Sequence, residues 1–553
     1  MVLSKMLLLK KVINLRYVVF LTFLLLQNNL IAKDYYVHPE KGNDSNIGTS
    51  KGKAFKTLKT ISKINLLPGD RVLLASGQTY KNGLIFINKN GTVNKPIIVT
   101  TVVWNDHEIF KPAIIDFQDN LNGILIENSS FFNISHIQLT ANGFNKPSKN
   151  TEMLCGILIN NTQAKLMQNI VIENIIIDNV YYEHFGYERG KDEVKTANGT
   201  QKYGWGIRVI NLTNHKIDNI TIKNCTISNV SHTGIKLTGT NKNISNVDIK
   251  ENAIKKTGGP GIQMSGVKSV QVRNNLVSHS GSQDDSRKWG RGSGLWTWGS
   301  SHVLIEKNKF LYANGPGDSA GAHIDFNCDN IVLQYNLSAY NAGGFCEILG
   351  NNYNCSYRYN ISINDGHRVK GVDGAFQEGK IFWLSGYQGN KKVRKGPVNS
   401  YFYNNTIYVN DSIISKIAID NSSKGILIAN NIFYLEGGAK AVLGDQYKPD
   451  ELSGDLAENV FFKNNLFIDK NNWPEDIGII DIEPIIGNPE FTNKGGINIE
   501  DYLPTNLTLV KNKGIKIPLL QDDKIGLIPT LQLERDILGN MIKGNPSLGA
   551  IEP

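Results

Sequence analysis

The chain has 553 residues, 40% of them hydrophobic and 20% charged, with a formal net charge of +9. That is enough apolar material for a large core and too little for an integral membrane protein, and the mild charge excess suits an anionic partner, of which a nucleic acid fits poorly with the export signal of residues 1–32. The five cysteines, Cys155, Cys225, Cys328, Cys346 and Cys355, are odd in number and show no metal-ligand spacing, so they read as small buried residues.

Residues 1–32 have the layout of a secretory signal peptide. Lys5, Lys10, Lys11 and Arg16 precede an apolar stretch from Tyr17 to Leu26, and Ala32 is suited to cleavage. The stretch is short for a bilayer span. The mature protein is therefore expected to be secreted or periplasmic, with no membrane insertion after cleavage. Removing the leader takes away four cations and no anion, which lowers the net charge from +9 to +5. Outside the cell, a mild positive excess suits an acidic polysaccharide.

Residues 33–100 read as an N-terminal cap and first turns. They run from Asp34-Tyr35-Tyr36-Val37 through Gly42-Asn43-Asp44 and Phe55-Lys56-Thr57-Leu58 to Pro68-Gly69-Asp70-Arg71-Val72. Leu58 to Ile64 predicts a short amphipathic helix. A stacked array needs such a plug, because an open end exposes core and strand edge.

From 101 to 470 one phrase recurs: an Asn followed by a small apolar run. It falls at Asn174, Asn224, Asn252, Asn275, Asn308, Asn336, Asn360, Asn405, Asn431 and Asn465. Most intervals are 23 to 34 residues, and two are longer, at 50 and 45. A period in this range means units that bury a core only by covering one another, and strand-like units predict a parallel β-helix. The Asn series is scaffold: Asn tolerates left-handed bends, and stacked side chains can share hydrogen bonds. The long intervals hold either two turns or one turn with an inserted loop. Two segments break the period, 181–203 and 366–400, and both read as loops leaving the solenoid. Residues 471–553 form a C-terminal capping segment that ends in Ser547-Leu548-Gly549-Ala550-Ile551-Glu552.

The opening segment, the repeats and the closing run together resemble secreted right-handed parallel β-helix proteins of the pectin lyase-like superfamily. The resemblance implies an all-β fold, a single-stranded right-handed parallel β-helix with an N-terminal cap and a C-terminal capping tail. It also implies activity on carbohydrate, since that superfamily holds lyases, glycosidases and epimerases. Fold alone does not choose among them. Polygalacturonase, alginate epimerase and calcium-dependent pectate lyase signatures are incomplete or absent, so no catalytic residue is carried over.

The candidate site comes from aligning the strands before the Asn bends. Side chains of a strand alternate between faces. Ile207, Ile235, Ile262, Leu295, Ile324 and Ile348 fit the inward set. The outward set is Arg208, Lys236, Gln263, Trp296 with Trp298, His323 with Asp325, and Glu347. From Arg208 to Glu347 the steps are 28, 27, 33, 27 and 24 residues, one turn each. Aromatic platforms and dense polar groups in one row suit a sugar. Asp325 and Glu347 are the leading catalytic candidates, with His323 able to orient a carboxyl and Asp318 in reach as a third acid. Trp296, Trp298, Arg208, Lys236, Gln263, Arg368 and Lys370 are candidate substrate-binding residues. Asp284 and Asp285, in a polar loop, rank lower. Counting from the Asn bends sets His323 beside Glu347 and Asp325 diagonal to it, roughly 7–8 Å away. That separation favours an inverting glycosidase, and a slip of two residues would favour a retaining one.

The function expected is a glycoside hydrolase, endo-acting on an anionic polysaccharide such as a sulfated fucan or carrageenan. The alternatives are a lyase cleaving a uronate polymer by β-elimination and a non-catalytic glycan-binding β-helix. No cofactor is expected, no motif supports calcium, and a monomer is expected.

Overall fold

This computed structural model describes residues 32–118, 120–144, 153–183, 203–281, 291–389, 391–442, 459–469 and 481–553. Residues 1–31 of the expected leader, 184–202 of the first long loop, Asp284 and Asp285 lie outside them.

Strand after strand alternates an aliphatic residue with a polar one, and the aliphatic set turns inward. Ile217, Ile220 and Ile222 are buried, and so are Ile244, Val247 and Ile249 one coil later. Every strand pairs in parallel with the strand one coil away, which builds three sheets of 14, 12 and 14 strands around one continuous core. The predicted parallel β-helix is the observed fold.

The short helix Leu58–Lys63 lies against the strand Leu84–Ile87 and buries Leu58 and Ile61 in the solenoid core, as the cap reading requires. All five cysteines are buried and unbridged. Both long intervals hold a single turn. The first contains the strands Ile176–Glu183 and Tyr203–Asn211. The second corrects the loop reading of 366–400, because Lys380–Leu384 is a strand, paired with Gly344–Ile348 on one side and Ser415–Ile419 on the other. Two excursions, 366–379 and 385–397, flank it.

The tail runs back along the solenoid. Ile517, Leu520 and Leu527 cover Tyr359, Tyr401, Tyr403 and Leu427, while Val510, Leu548 and Ile551 join Leu337, Ile361 and Tyr408.

A candidate active site on one wall of the helix

Four neighbouring strands position the site: Leu295–Trp298, Ala322–Ile324, Gly344–Ile348 and Lys380–Leu384. Leu295, Ile324 and Ile348 are in the core, with Ile207, Ile235 and Ile262 from the coils before them. Their neighbours therefore face outward. Arg208 pairs with Lys236, Lys236 with Gln263, Gln263 with Trp296, and Trp296 with His323. Ile324 pairs with Ile348, which sets His323 level with Glu347 and Asp325 one step beyond. No two-residue slip is present. Glu347 pairs in turn with Trp383.

The middle of this wall is well shielded from water. His323 stacks parallel to Trp296 at 6.1 Å, and its Nδ1 lies 3.3 Å from the Ser293 hydroxyl. Burial lowers its pKa to about 4, so the ring is neutral at pH 7. Asp325 accepts the Phe326 N–H at 2.8 Å. Burial pushes its carboxyl up to about 7, and the nearby Asp318 charge adds to that rise. Glu347 goes up to about 8, first by burial and then by the Asp318 charge, with Lys380 and Arg368 opposing. A desolvated carboxyl holds its proton because the anion has lost its water.

Asp318 reaches the wall from the loop before the His323 strand. Its backbone is left-handed, at φ +39°, and Ser319 follows at +63°. Arg291 Nη1 stands 3.4 Å from one carboxylate oxygen, while the other is buried with no protein partner. Among the described residues, no three His, Cys, Asp or Glu side chains are close enough to share a metal ion.

Trp298 stands beside Asp325 and is 41% exposed. Phe326 meets it edge-on at 5.7 Å, and Tyr387 meets Phe326 at 5.6 Å. This aromatic rim borders the carboxyls on one side, and the 366–379 excursion borders them on the other.

The cations named from sequence are placed differently. Arg208 and Lys236 lie 4.4 Å and 4.9 Å from the ring of Trp205, whose other neighbour is a stacked His232 at 4.1 Å. Burial, with Arg208 beside it, pulls Lys236 down to about 7. Gln263 is buried between that group and Trp296. Arg368 is buried, and its guanidinium donates to backbone carbonyls of Gly315, Asp318 and Gln377. Lys370 is exposed, with its backbone N–H on Glu378.

Sequence reasoning missed Arg291, Phe326, Lys380, Trp383 and Tyr387. Trp383 carries a buried indole N–H without a protein partner, and Lys380 sits 3.9 Å from its ring centre. The run Lys-Ile-Phe-Trp-Leu, rich in strand-forming residues, was the available signal.

A family model described as a right handed beta helix region matches residues 205–394, the stretch that carries this wall. The three stacked parallel sheets define a right-handed parallel β-helix protein. Among individual proteins, the chain is similar to a lacto-N-biosidase of Bifidobacterium longum subsp. longum, at 23% identity over 94% of this chain and 36% of that protein. The chain thus spans about a third of the relative's length. It also resembles the crystal structure of a GH136 lacto-N-biosidase from Eubacterium ramulus, at 18% identity and a TM-score of 0.52, over 69% of this chain and 64% of that one. A PL6 family alginate lyase matches at 13% identity and a TM-score of 0.46, over 84% and 59% of the two chains.

Proposed function

We propose that the protein is an exported glycoside hydrolase whose site is the wall bearing Asp318, Asp325 and Glu347. The observation that carries the reading is the division of labour among the three carboxyls. Hydrolysis of a glycosidic bond needs one carboxylic acid and one carboxylate. Burial keeps Glu347 and much of Asp325 protonated at neutral pH. Asp318, facing Arg291, is assigned the carboxylate role. Asp325 is the more open of the two acids and adjoins the aromatic rim, so it protonates the leaving oxygen. Asp318 acts at the anomeric carbon, as nucleophile or through water. Glu347, neutral, donates a hydrogen bond to a sugar hydroxyl. Trp298 offers its face to the apolar side of a pyranose.

Two considerations choose among substrates and reactions. The names of the relatives, lacto-N-biosidases both, favour hydrolysis. The reading of a sulfated fucan or carrageenan rests on the basic loops and the Trp pair, and the binding cations named with it are Arg208, Lys236, Arg368 and the exposed Lys370. In the fold the first two lie against Trp205 and the third holds backbone carbonyls. A lyase would need the same cations on a uronate. A neutral glycan bearing a lacto-N-bioside unit is therefore the first substrate to try.

The test is incubation of the full chain with a chromogenic lacto-N-bioside and with neutral, uronate and sulfated polysaccharides. New reducing ends without an ultraviolet-absorbing unsaturated product are expected. Asp318→Asn and Asp325→Asn should each lose about a hundredfold or more. Undiminished turnover in both folded variants, or an unsaturated product, would overturn the reading.

A further inference from the structure

We propose that Arg368 and Gln377 are positioning residues that clamp the peptide of Asp318 and so fix its carboxylate at the site; this rests on the catalytic reading of Asp318 above. Asp318 and Ser319 are consecutive non-glycine residues with left-handed backbones, at φ +39° and +63°. Such conformations persist only where surrounding structure over-determines them. Here the 366–379 excursion holds both ends of the residue. The Asp318 N–H donates to Gln377 Oε1 at 2.6 Å, and the Asp318 carbonyl accepts from Arg368 Nη1 at 3.0 Å. The same nitrogen donates to the Gly315 carbonyl at 2.9 Å, and Arg368 Nε donates to the Gln377 carbonyl at 2.8 Å. Arg368 thus grips the residue whose side chain grips Asp318.

The clamp is braced from both sides. The Phe376 N–H donates to the Pro316 carbonyl at 2.9 Å. Below it lies Gly343, where a Cβ would fall 1.8 Å from the Asp318 carbonyl oxygen, so only glycine lets the loop sit this low. Behind it, Lys416 Nζ donates to the Arg368 carbonyl at 2.6 Å and pairs with Glu378 at 3.4 Å. A planar fork with several donors can serve these carbonyls together, and a lysine cannot. The contacts converge on the one acid in the cluster that keeps an unpartnered buried oxygen.

Four variants test this on the glycan that the wild-type chain cleaves: Arg368→Lys, Gln377→Leu, Gln377→Glu and Asp318→Asn. Arg368→Lys and Gln377→Leu should lower kcat by about tenfold to a hundredfold with KM nearly unchanged, since small misplacement of a reacting group costs that much. Gln377→Glu, which keeps the acceptor, should restore most of the loss. Hydrogen exchange at the Asp318 amide should accelerate in Arg368→Lys and Gln377→Leu but not in Gln377→Glu, and this readout needs no substrate. Wild-type kcat and unchanged Asp318 exchange in Gln377→Leu would overturn the clamp alone. Full activity in Asp318→Asn would overturn the catalytic reading and the clamp with it.

Discussion

Three side chains brought together on adjacent coils titrate in different directions, and that decides what the wall can do. His323 is lowered to about 4, Asp325 raised to about 7 and Glu347 raised to about 8, with burial the largest cause in each. Burial disfavours whichever form is charged, so it lowers the imidazole and raises the carboxyls. If Asp325 is the acid, its working form disappears as pH rises through about 7. The rate should therefore fall across that range, and His323, neutral throughout it, contributes no limb there. Glu347→Gln keeps a donor and an acceptor, so it should lose no more than about tenfold in activity. The sign for stability follows from the same shift. A carboxyl whose folded value is raised stabilises the fold fully below its unfolded value and loses that contribution as pH rises through the folded one. Glu347→Gln should accordingly melt higher than wild type at pH 9 and show no such advantage at pH 4. A rate that climbs from pH 7 to 8, or a melting curve that moves the other way, would contradict the assignment.

At the scale of the element, the repeated Asn is the feature that sequence made most legible and also the one it read slightly out of phase. Asn252, Asn275, Asn308, Asn336, Asn360, Asn405, Asn431 and Asn465 form one buried ladder. In each step a side-chain oxygen accepts the neighbouring coil's Asn N–H and Nδ2, as Asn336 does from Asn308 at 3.0 Å for both. Asp481 ends the ladder, where only an acceptor is needed. Asn174 and Asn224 share the phrase but occupy the preceding left-handed position, at φ 52° and 53°. Spacing alone cannot separate those two slots, since both want Asn. Asn336→Ala would strand the Asn308 donors and the Ile305 carbonyl, at about 1–3 kcal/mol for each unsatisfied buried group. Asn224→Ala forfeits only a tolerance for left-handed backbone, about 1–2 kcal/mol. Denaturant midpoints should show Asn336→Ala as clearly the worse, and equal midpoints would deny the ladder its weight. The same limit explains what else sequence did not reach. A period of two fixes which face a residue takes, so Trp296, His323 and Glu347 were placed on one wall. It does not say what covers that face, so Arg208 and Lys236 were not seen to lie against Trp205. The Lys380–Leu384 strand hid between two charged excursions. The clamp on Asp318 joins corners of different coils, and no local pattern records it.

For the whole molecule, the tail decides how far the solenoid behaves as a row of independent coils. In a repeat protein each unit contacts its neighbours, and stability is close to a sum of nearest-neighbour terms. Here the tail ties distant coils together. Tyr335 donates to the Arg535 carbonyl and Tyr403 to the Leu531 carbonyl. Asp523 accepts from Tyr401 at 2.5 Å and Asn354 at 3.1 Å, while Asn404, Asn430 and Asn464 donate to carbonyls of Gly549, Ile515 and Lys513. Arg358, fully buried, donates to Thr530 and to Gln334 of the coil that carries His323. The tail's hydrogen bonds therefore brace the coils from about Tyr335 onward; over the coils before Asn275 it only closes a cavity that Ile528 and Pro529 line with Asn246 and Gln271. Removing residues 511–553 should bare Tyr359, Tyr401 and Leu427 and strip these bonds from the C-terminal half. Hydrogen exchange should then speed up in the strands from Asp329–Gln334 to Val460–Lys463, while Ile217–Lys223 and Ile244–Lys250 keep wild-type protection. Heat should unfold the truncated chain in two steps, the braced half first. The site straddles the boundary, so the truncated chain should lose activity at a temperature below its second step. A single cooperative transition with uniform loss of protection would mean that the core, and not the tail, couples the coils.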